Sequence, residues 1–412
     1  MPALGVRRRA SFDPIQAGVA AVALFLASCL VARGGLLSSA DPGDVGRYHE
    51  FADRILDGAL PYRDFYMEYP PGAVPAFLAP SALSDLAGYN LAFKLVVVLA
   101  GAALVATLVA LLVRLGVGRW GAAVALGVVV ATPVALGAVV LNRYDVWPAL
   151  LVALALLALL TGRSGLAFGL LAAGCAVKVY PAVLLPVAAV HVLRTAGRRA
   201  LVRALVVFGV VLLVVAGPLA LIAPGGFGYS VKTQVIRQLQ LESLASSLLL
   251  GADKVGAYAA DIVPGSPGSI DLAGGLPDAL GVLTSIALAA ALLAVLVLYW
   301  QGIESDELLV LGFAASVTAF VTFSKVVSPQ FLVWLVVLVP LVAGRLRDVA
   351  AALLLAILVL TQVEVVWEHP LRAGGWPVWV LLARNVLLVT LFALLLVALW
   401  QQRRPEPAAV RA

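Results

Sequence analysis

Apolar runs follow one another along almost the whole chain, near 15–33, 90–113, 120–140, 147–162, 165–177, 180–194, 200–223, 278–300, 306–322, 329–343, 348–366 and 377–400. In hydrocarbon the backbone must satisfy its own polar groups, which leaves helices or closed barrels. A helical crossing takes about 20 residues, so these runs predict an all-α polytopic membrane protein of about 12 transmembrane helices. They form a single integral-membrane domain over residues 1–412. Only 12% of residues are charged, against ~25% in a soluble domain. The runs 165–177 and 180–194 are short. They are either two half-length helices meeting at Lys178 or one long kinked span. Arg7, Arg8 and Arg9 precede the first run, and no small-residue cleavage site ends it before Arg33. It reads as a retained helix and not as a signal peptide. Cys29 and Cys175 lie inside apolar runs and read as packing residues.

Charge sets the expected orientation, because short cytoplasmic loops collect Lys and Arg. With the N-terminus inside, the short loops RLGVGRW, TGRSG, RTAGRRA and GRLRD fall inside with both termini, as does the acidic QGIESDE. The excess of base over acid then sits in the cytoplasm, and the formal charge of +6 is a topology signal. No patch of interleaved aromatic and basic residues suggests nucleic acid. The long loops, 34–89 and 224–277, fall outside, and the tail 401–412 is expected to be a disordered cytoplasmic extension.

The first outer loop is the most polar long interval, DPGDVGRYHEFADRILDGALPYRDFYMEYPPG from Asp41 to Gly72. Asp41, Pro42 and Asp44 give a helix start. Val45, Tyr48, Phe51, Ala52, Ile55 and Leu56 then recur at helical spacing, and Gly58 and Pro61 mark the end. The segment predicts an amphipathic helix on the membrane surface. Asp44 reads either as a capping carboxylate or as a general base held ionised by the helix N-terminus. Beyond it, Arg63, Asp64 and Glu68 stand among Tyr62, Phe65, Tyr66 and Tyr69. Rings around polar groups fit a sugar, which has hydroxyls and an apolar face; they equally fit an interfacial aromatic belt.

Other outer turns break the apolar runs in the same way: Asn142-Arg143-Tyr144-Asp145, Lys178-Val179-Tyr180-Pro181, Ser324-Lys325, Ser328-Pro329-Gln330 and Glu368-His369-Pro370. Ionisable groups at membrane depth are expensive and mark sites or pairings. A single Lys near a helix end can simply snorkel. Arg143, Lys178 and Lys325, each beside helix breakers, together suit an anionic lipid headgroup. In the loop 224–277 the stretch KTQVIRQLQLESLASSLLL reads as polar and helical. His49, His191 and His369 lack metal-ligand spacing, and no phosphate-binding glycine loop or nucleophile elbow is present, so no metal or cofactor is expected.

The elements PYRDF-x-x-EYPPG, NRYDVWP, KVYP and FSKVVSPQFLVW, with the Asp and Tyr ahead of the first, resemble glycosyltransferase family 87 over residue 41 to about residue 340. Members use a polyprenol-phosphate-mannose donor and have the C-type membrane glycosyltransferase fold. The resemblance implies sugar transfer, with mannose as the expected sugar, from a polyprenyl-phosphate donor to a lipid or glycan acceptor hydroxyl. Transfer would take place on the outer face of the membrane, with inversion. It implies that Asp44 is the catalytic base, with Asp41 as runner-up, and that Arg143, Lys178 and Lys325 hold the donor phosphate. Tyr48, Arg63, Asp64, Glu68, Tyr69, Asn142, Asp145, Gln330 and His369 are the expected substrate contacts. Composition rich in Ala, Val, Leu and Arg fits a GC-rich bacterium, so the expected site is a bacterial inner membrane. The rival reading is a transporter or lipid flippase for a glycoconjugate, which would place ionisable residues on broken helices at the midplane.

Overall fold

A computed structural model describes residues 11–33, 43–265 and 269–403. Asp41 and the tail from 404 lie outside the described residues. Eight helices are long and apolar enough to cross a membrane. Among the long helices are α1 (Pro14–Arg33), which precedes the first-loop helix α2 (Val45–Leu56), and α3 (Tyr89–Arg114) and α4 (Arg119–Leu136), which follow it. The shorter α5 (Val146–Leu160) and α6 (Ser164–Val177) lead into α7 (Leu185–Ile222). Next come α8 (Pro224–Val235), α9 (Leu244–Lys254), α10 (Gly275–Gln301), α11 (Asp306–Phe323), α12 (Gly344–Val366) and α13 (Pro377–Gln401).

The two short runs are separate helices. Lys178 is extended (φ −158°, ψ 134°), which ends α6, and a 3₁₀ turn at Tyr180–Leu184 starts the next element. Helix α7 is itself broken at Gly197 (φ 80°), inside the basic RTAGRRA turn, where a residue with a side chain would be strained. Helix α11 packs against α10 and α13 and is mostly buried. Exposed Ile15, Val19, Val206, Leu213, Leu283 and Ile286 line the outer flanks of α1, α7 and α10, the surface a bilayer would cover.

Lipid tails remove the hydrophobic drive for helix pairing, so close packing and polar contacts must supply it. Gly101 of α3 faces the Phe25 ring, and Gly312 of α11 faces Tyr299 of α10; a Cβ at either would collide with the ring. One end of the bundle is tied by charge. Arg114 meets Asp306 at 2.6 Å, His191 and Arg194 meet Glu304 at 2.8 and 3.2 Å, and the Trp120 indole donates to Asp348 at 3.1 Å. The charge count expected Arg114, Arg194, Glu304, Asp306 and Asp348 on one side, and the fold gathers them at one end.

The opposite end carries the long loops. Helix α2 buries Val45, Tyr48, Phe51 and Ala52 and ends as expected, with Gly58 at φ 91° and the Ala59 N–H returning to the Arg54 carbonyl. The stretch 232–250 is not one helix. It breaks into α8, a strand β1 (Leu239–Gln240) and α9, because β1 pairs with β3 (Ile270–Ala273), which also pairs with β2 (Asp261–Pro264). The sheet is antiparallel in the order β1-β3-β2. A satellite core of Leu239, Leu250, Leu272, Val378 and Leu381 seats it, with α9, against the start of α13.

Candidate active site

Two carboxylates stand immediately before helices at the loop-rich end, Asp44 before α2 and Asp145 before α5, and neither caps its helix with its side chain. The cap expected of Asp44 is therefore absent; its backbone carbonyl alone receives the Tyr48 N–H, at 2.9 Å. Each side chain holds a cation instead. Asp44 Oδ2 lies 2.8 Å from Arg143 Nη1 and accepts the Tyr69 hydroxyl at 3.1 Å. Asp145 Oδ1 accepts from Lys178 Nζ at 2.6 Å and from the Trp334 indole N–H at 2.9 Å.

The turn Asn142–Asp145 brings the two pairs together, because Arg143 serves the first and Asp145 the second. Gly43 allows this: a Cβ there would meet Asn142 Cβ at 2.6 Å. The pairs differ in access. Asp44 and Arg143 keep side-chain exposures of 24% and 20%, whereas Asp145 is 1% exposed. Chemistry that needs an incoming substrate therefore has room at Asp44 and not at Asp145.

Rings wall the site. Tyr48, Tyr69, Phe77 and Tyr144 contact one another at centroid distances of 4.8 to 5.7 Å. These side chains form a buried aromatic core under Asp44. Tyr48 is 1% exposed, so it supports the site and offers little surface to a substrate. Burial pushes the Tyr69 phenol well above its ordinary value, with Tyr48 and Asp44 adding to the shift; it remains a hydrogen-bond donor to Asp44 at neutral pH. The Lys178 ammonium sits 5.1 to 5.3 Å from the rings of Tyr144, Phe331 and Trp334, within cation–π range. Trp334 stacks on Tyr180 at 3.9 Å. Asp145 Oδ2 and the Tyr144 and Tyr180 hydroxyls are buried without a hydrogen-bond partner among the described residues.

Glu68 is paired with Arg47 at 2.7 Å. Arg63 and Asp64 form an exposed pair within one turn, where Asp64 also accepts the Leu60 N–H. The Arg63 hydrogen bonds, then that N–H, hold the Asp64 carboxyl down at about 2. Asn142 is buried, and Gln330 lies in the 3₁₀ turn Pro329–Leu332 that also presents Phe331 to Lys178. His369 is exposed on the short helix Glu368–Arg372 between α12 and α13. Lys325 does not join the other two cations. Its ammonium donates to the Val235 carbonyl at 2.9 Å, at the end of α8, and its own carbonyl accepts the Gln240 N–H at 3.0 Å.

Helix α8 closes over the first loop. Ser230 donates to the Met67 carbonyl, Gln234 to the Glu68 carbonyl, and Phe227 and Tyr229 pack on Tyr62 and Tyr66. Tyr62 itself adopts φ 66°; the Phe65 carbonyl and the approach of Gly226 to the Tyr62 carbonyl hold it there. Tyr144, Tyr180, Phe331 and Trp334 fall inside the elements NRYDVWP, KVYP and FSKVVSPQFLVW, but the sequence gives no sign that Tyr144, Phe331 and Trp334 gather around Lys178.

A family model, Glycosyltransferase family 87, matches residues 66–329, which include Glu68, Tyr69, the Asn142–Asp145 turn, Lys178 and Lys325. Asp44 and α2 precede the matched span. No match is found among curated proteins. The matched span is well over half of the chain and contains most of the site, and a transferase family leaves the transporter reading without support. The chain belongs to glycosyltransferase family 87 and is a membrane glycosyltransferase.

Proposed function

We propose that the protein transfers a sugar, mannose by preference, from a polyprenyl-phosphate donor to a hydroxyl of a lipid or glycan acceptor, with Asp44 as base. The observation that carries this reading is the partly exposed Asp44 carboxylate bracketed by Arg143 and Tyr69, next to the caged Lys178. In a single displacement the acceptor oxygen bonds to the anomeric carbon, its proton passes to Asp44, and the sugar–phosphate bond breaks with inversion. Arg143 and Lys178 meet the charge that develops on the departing lipid phosphate. Both contacts to Asp44 fall on Oδ2, which leaves Oδ1 for the acceptor proton. The Tyr144 ring lies within reach of the Lys178 ammonium.

The charge count supports twelve crossings with both termini in the cytoplasm and the site on the outer face of a bacterial plasma membrane. The break at Gly197 and the shorter apolar helices would supply the crossings beyond the eight long ones. The test is Asp44→Asn in purified protein, supplied with polyprenyl-phosphate-mannose and mixed lipid and glycan acceptors. Loss of a base should lower turnover by about 10²–10⁴-fold in a variant that elutes and melts like the wild type. Full activity in that variant would remove Asp44 as base.

A further inference from the structure

Among the described residues, Tyr62 is the only one other than glycine with a left-handed backbone angle (φ 66°). A side chain there crowds its own backbone, and such strain persists only where the surroundings over-determine it. The turn itself makes no demand for tyrosine. Glycine takes the angle freely, and asparagine takes it at less cost. What tyrosine adds is a ring and a phenol, and both are in use. Tyr62 is buried, and its ring meets Phe227 of α8 edge-on at a centroid distance of 5.5 Å. Its phenol donates to the Tyr69 carbonyl.

Tyr62 is held from two sides. Its N–H donates to the Phe65 carbonyl at 2.9 Å, which closes the turn. From the other side Gly226, in the first turn of α8, comes so near that a Cβ there would collide with the Tyr62 carbonyl oxygen. Helix α8 is seated on the same loop through Ser230 at the Met67 carbonyl and Gln234 at the Glu68 carbonyl. The line of contact then runs inward. Pro70 and Pro71 follow Tyr69 and have no N–H to donate, so this stretch depends on side chains for its polar anchors. The rings of Tyr48, Phe77 and Tyr144 confine the Tyr69 side chain, and the Tyr62 phenol pins its backbone. The Tyr69 hydroxyl in turn donates to Asp44 Oδ2 at 3.1 Å.

From these relations we infer that Tyr62 is a positioning residue for the base: seated by α8, it sets Tyr69, and through Tyr69 the Asp44 carboxylate. The inference rests on the role proposed above for Asp44. A hydrogen bond donated to a carboxylate favours its ionised form, so a loosened Tyr69 should move the acid limb of kcat to higher pH. Asp44 lies within charge range of Tyr69, Arg143, Tyr48, Arg47, Tyr144 and Lys178. Among these, Tyr62 hydrogen-bonds to Tyr69 alone.

The full chain in lipid nanodiscs would be given polyprenyl-phosphate-mannose with mixed lipid and glycan acceptors and assayed from acid to neutral pH. Tyr62→Phe keeps the ring and removes the hydroxyl. It should melt close to the wild type and raise the acid limb of kcat by about half a pH unit, the scale of part of one hydrogen bond, with both KM values little changed. Tyr69→Phe should raise the limb further, and the double variant no further than Tyr69→Phe alone, because the two residues act in series. An unmoved limb in folded Tyr62→Phe overturns the inference. Shifts that add in the double variant overturn it too, since Tyr62 would then reach Asp44 by another route. If Tyr62→Phe does not fold, Gly226→Ala, whose Cβ would press on the Tyr62 carbonyl, is read by the same limb. A wild type that leaves the donor unconsumed, or a fully active Asp44→Asn, defeats the proposed function and this inference with it. An inactive Asp44→Asn beside a Tyr62→Phe profile like that of the wild type defeats this inference alone.

Discussion

Asp44 Oδ2 and Arg143 Nη1 lie 2.8 Å apart, so the proposed base and one proposed phosphate ligand are held by each other. A donor phosphate offers Arg143 a second partner, since a guanidinium forks onto phosphate as well as onto carboxylate. Arrival of the donor would then loosen the pair at Oδ2 while Oδ1 stays open to the acceptor.

Arg143→Ala should therefore raise the donor KM and lower turnover together, by about 10–100-fold on kcat/KM, the scale of one lost charge-assisted contact. Arg143→Lys should recover only part, because an ammonium is a point charge without the fork. Steady-state kinetics at varied donor concentration checks this; an unchanged donor KM in the alanine variant would remove Arg143 from the phosphate site.

The Lys178–Asp145 pair should behave differently, because it is buried. Asp145→Asn alone leaves the ammonium without its counter-ion, and breaking such a pair costs about 3–5 kcal/mol. Lys178→Met combined with Asp145→Asn should regain most of that stability and none of the activity. A double-mutant cycle on melting temperature, run beside a transfer assay, separates the two effects.

Glu242 gives a pH prediction. Burial, reinforced by Glu364 and opposed by Arg384, pushes its carboxyl from 4.5 up to about 8. Between those values the folded chain holds a proton that the unfolded chain has released, so stability falls as pH rises through this window. The contribution is complete below 4.5 and gone once the pH has passed about 8. Melting curves across the window should show a shallower decline for Glu242→Gln than for the wild type. An identical decline in both would mean that the group does not titrate there.

Much of this was legible in the sequence where a single residue acts alone on its own backbone. Gly58 ends α2 and Gly197 breaks the long helix because only glycine takes those dihedrals without strain. Lys178-Val-Tyr-Pro interrupts a run because proline cannot continue a helix. What was not legible are the pairings between distant turns. Nothing near Asp44 says that Arg143 meets it, and the same charge pattern grouped Lys325 with cations it does not touch. The stretch 232–250 kept its helical pattern on paper but gave up Leu239 and Gln240 to strand pairing with a hairpin well beyond it. Arg384-Asn385 was the missed signal: a charged and an amide residue in the middle of the last apolar run, where the energetic cost of burial itself argues for a role.

Lys325 grips the chain at two points, through its ammonium at Val235 and through its carbonyl at Gln240. The five intervening bonds of chain are thus a strap buckled at both ends by one residue. Helix α8 cannot lift from the first loop without pulling its end off that ammonium, and the strand cannot shift without tugging the same backbone. Opening over Asp44 and movement of the strand are consequently geared together, and Lys325 would set how freely the two move.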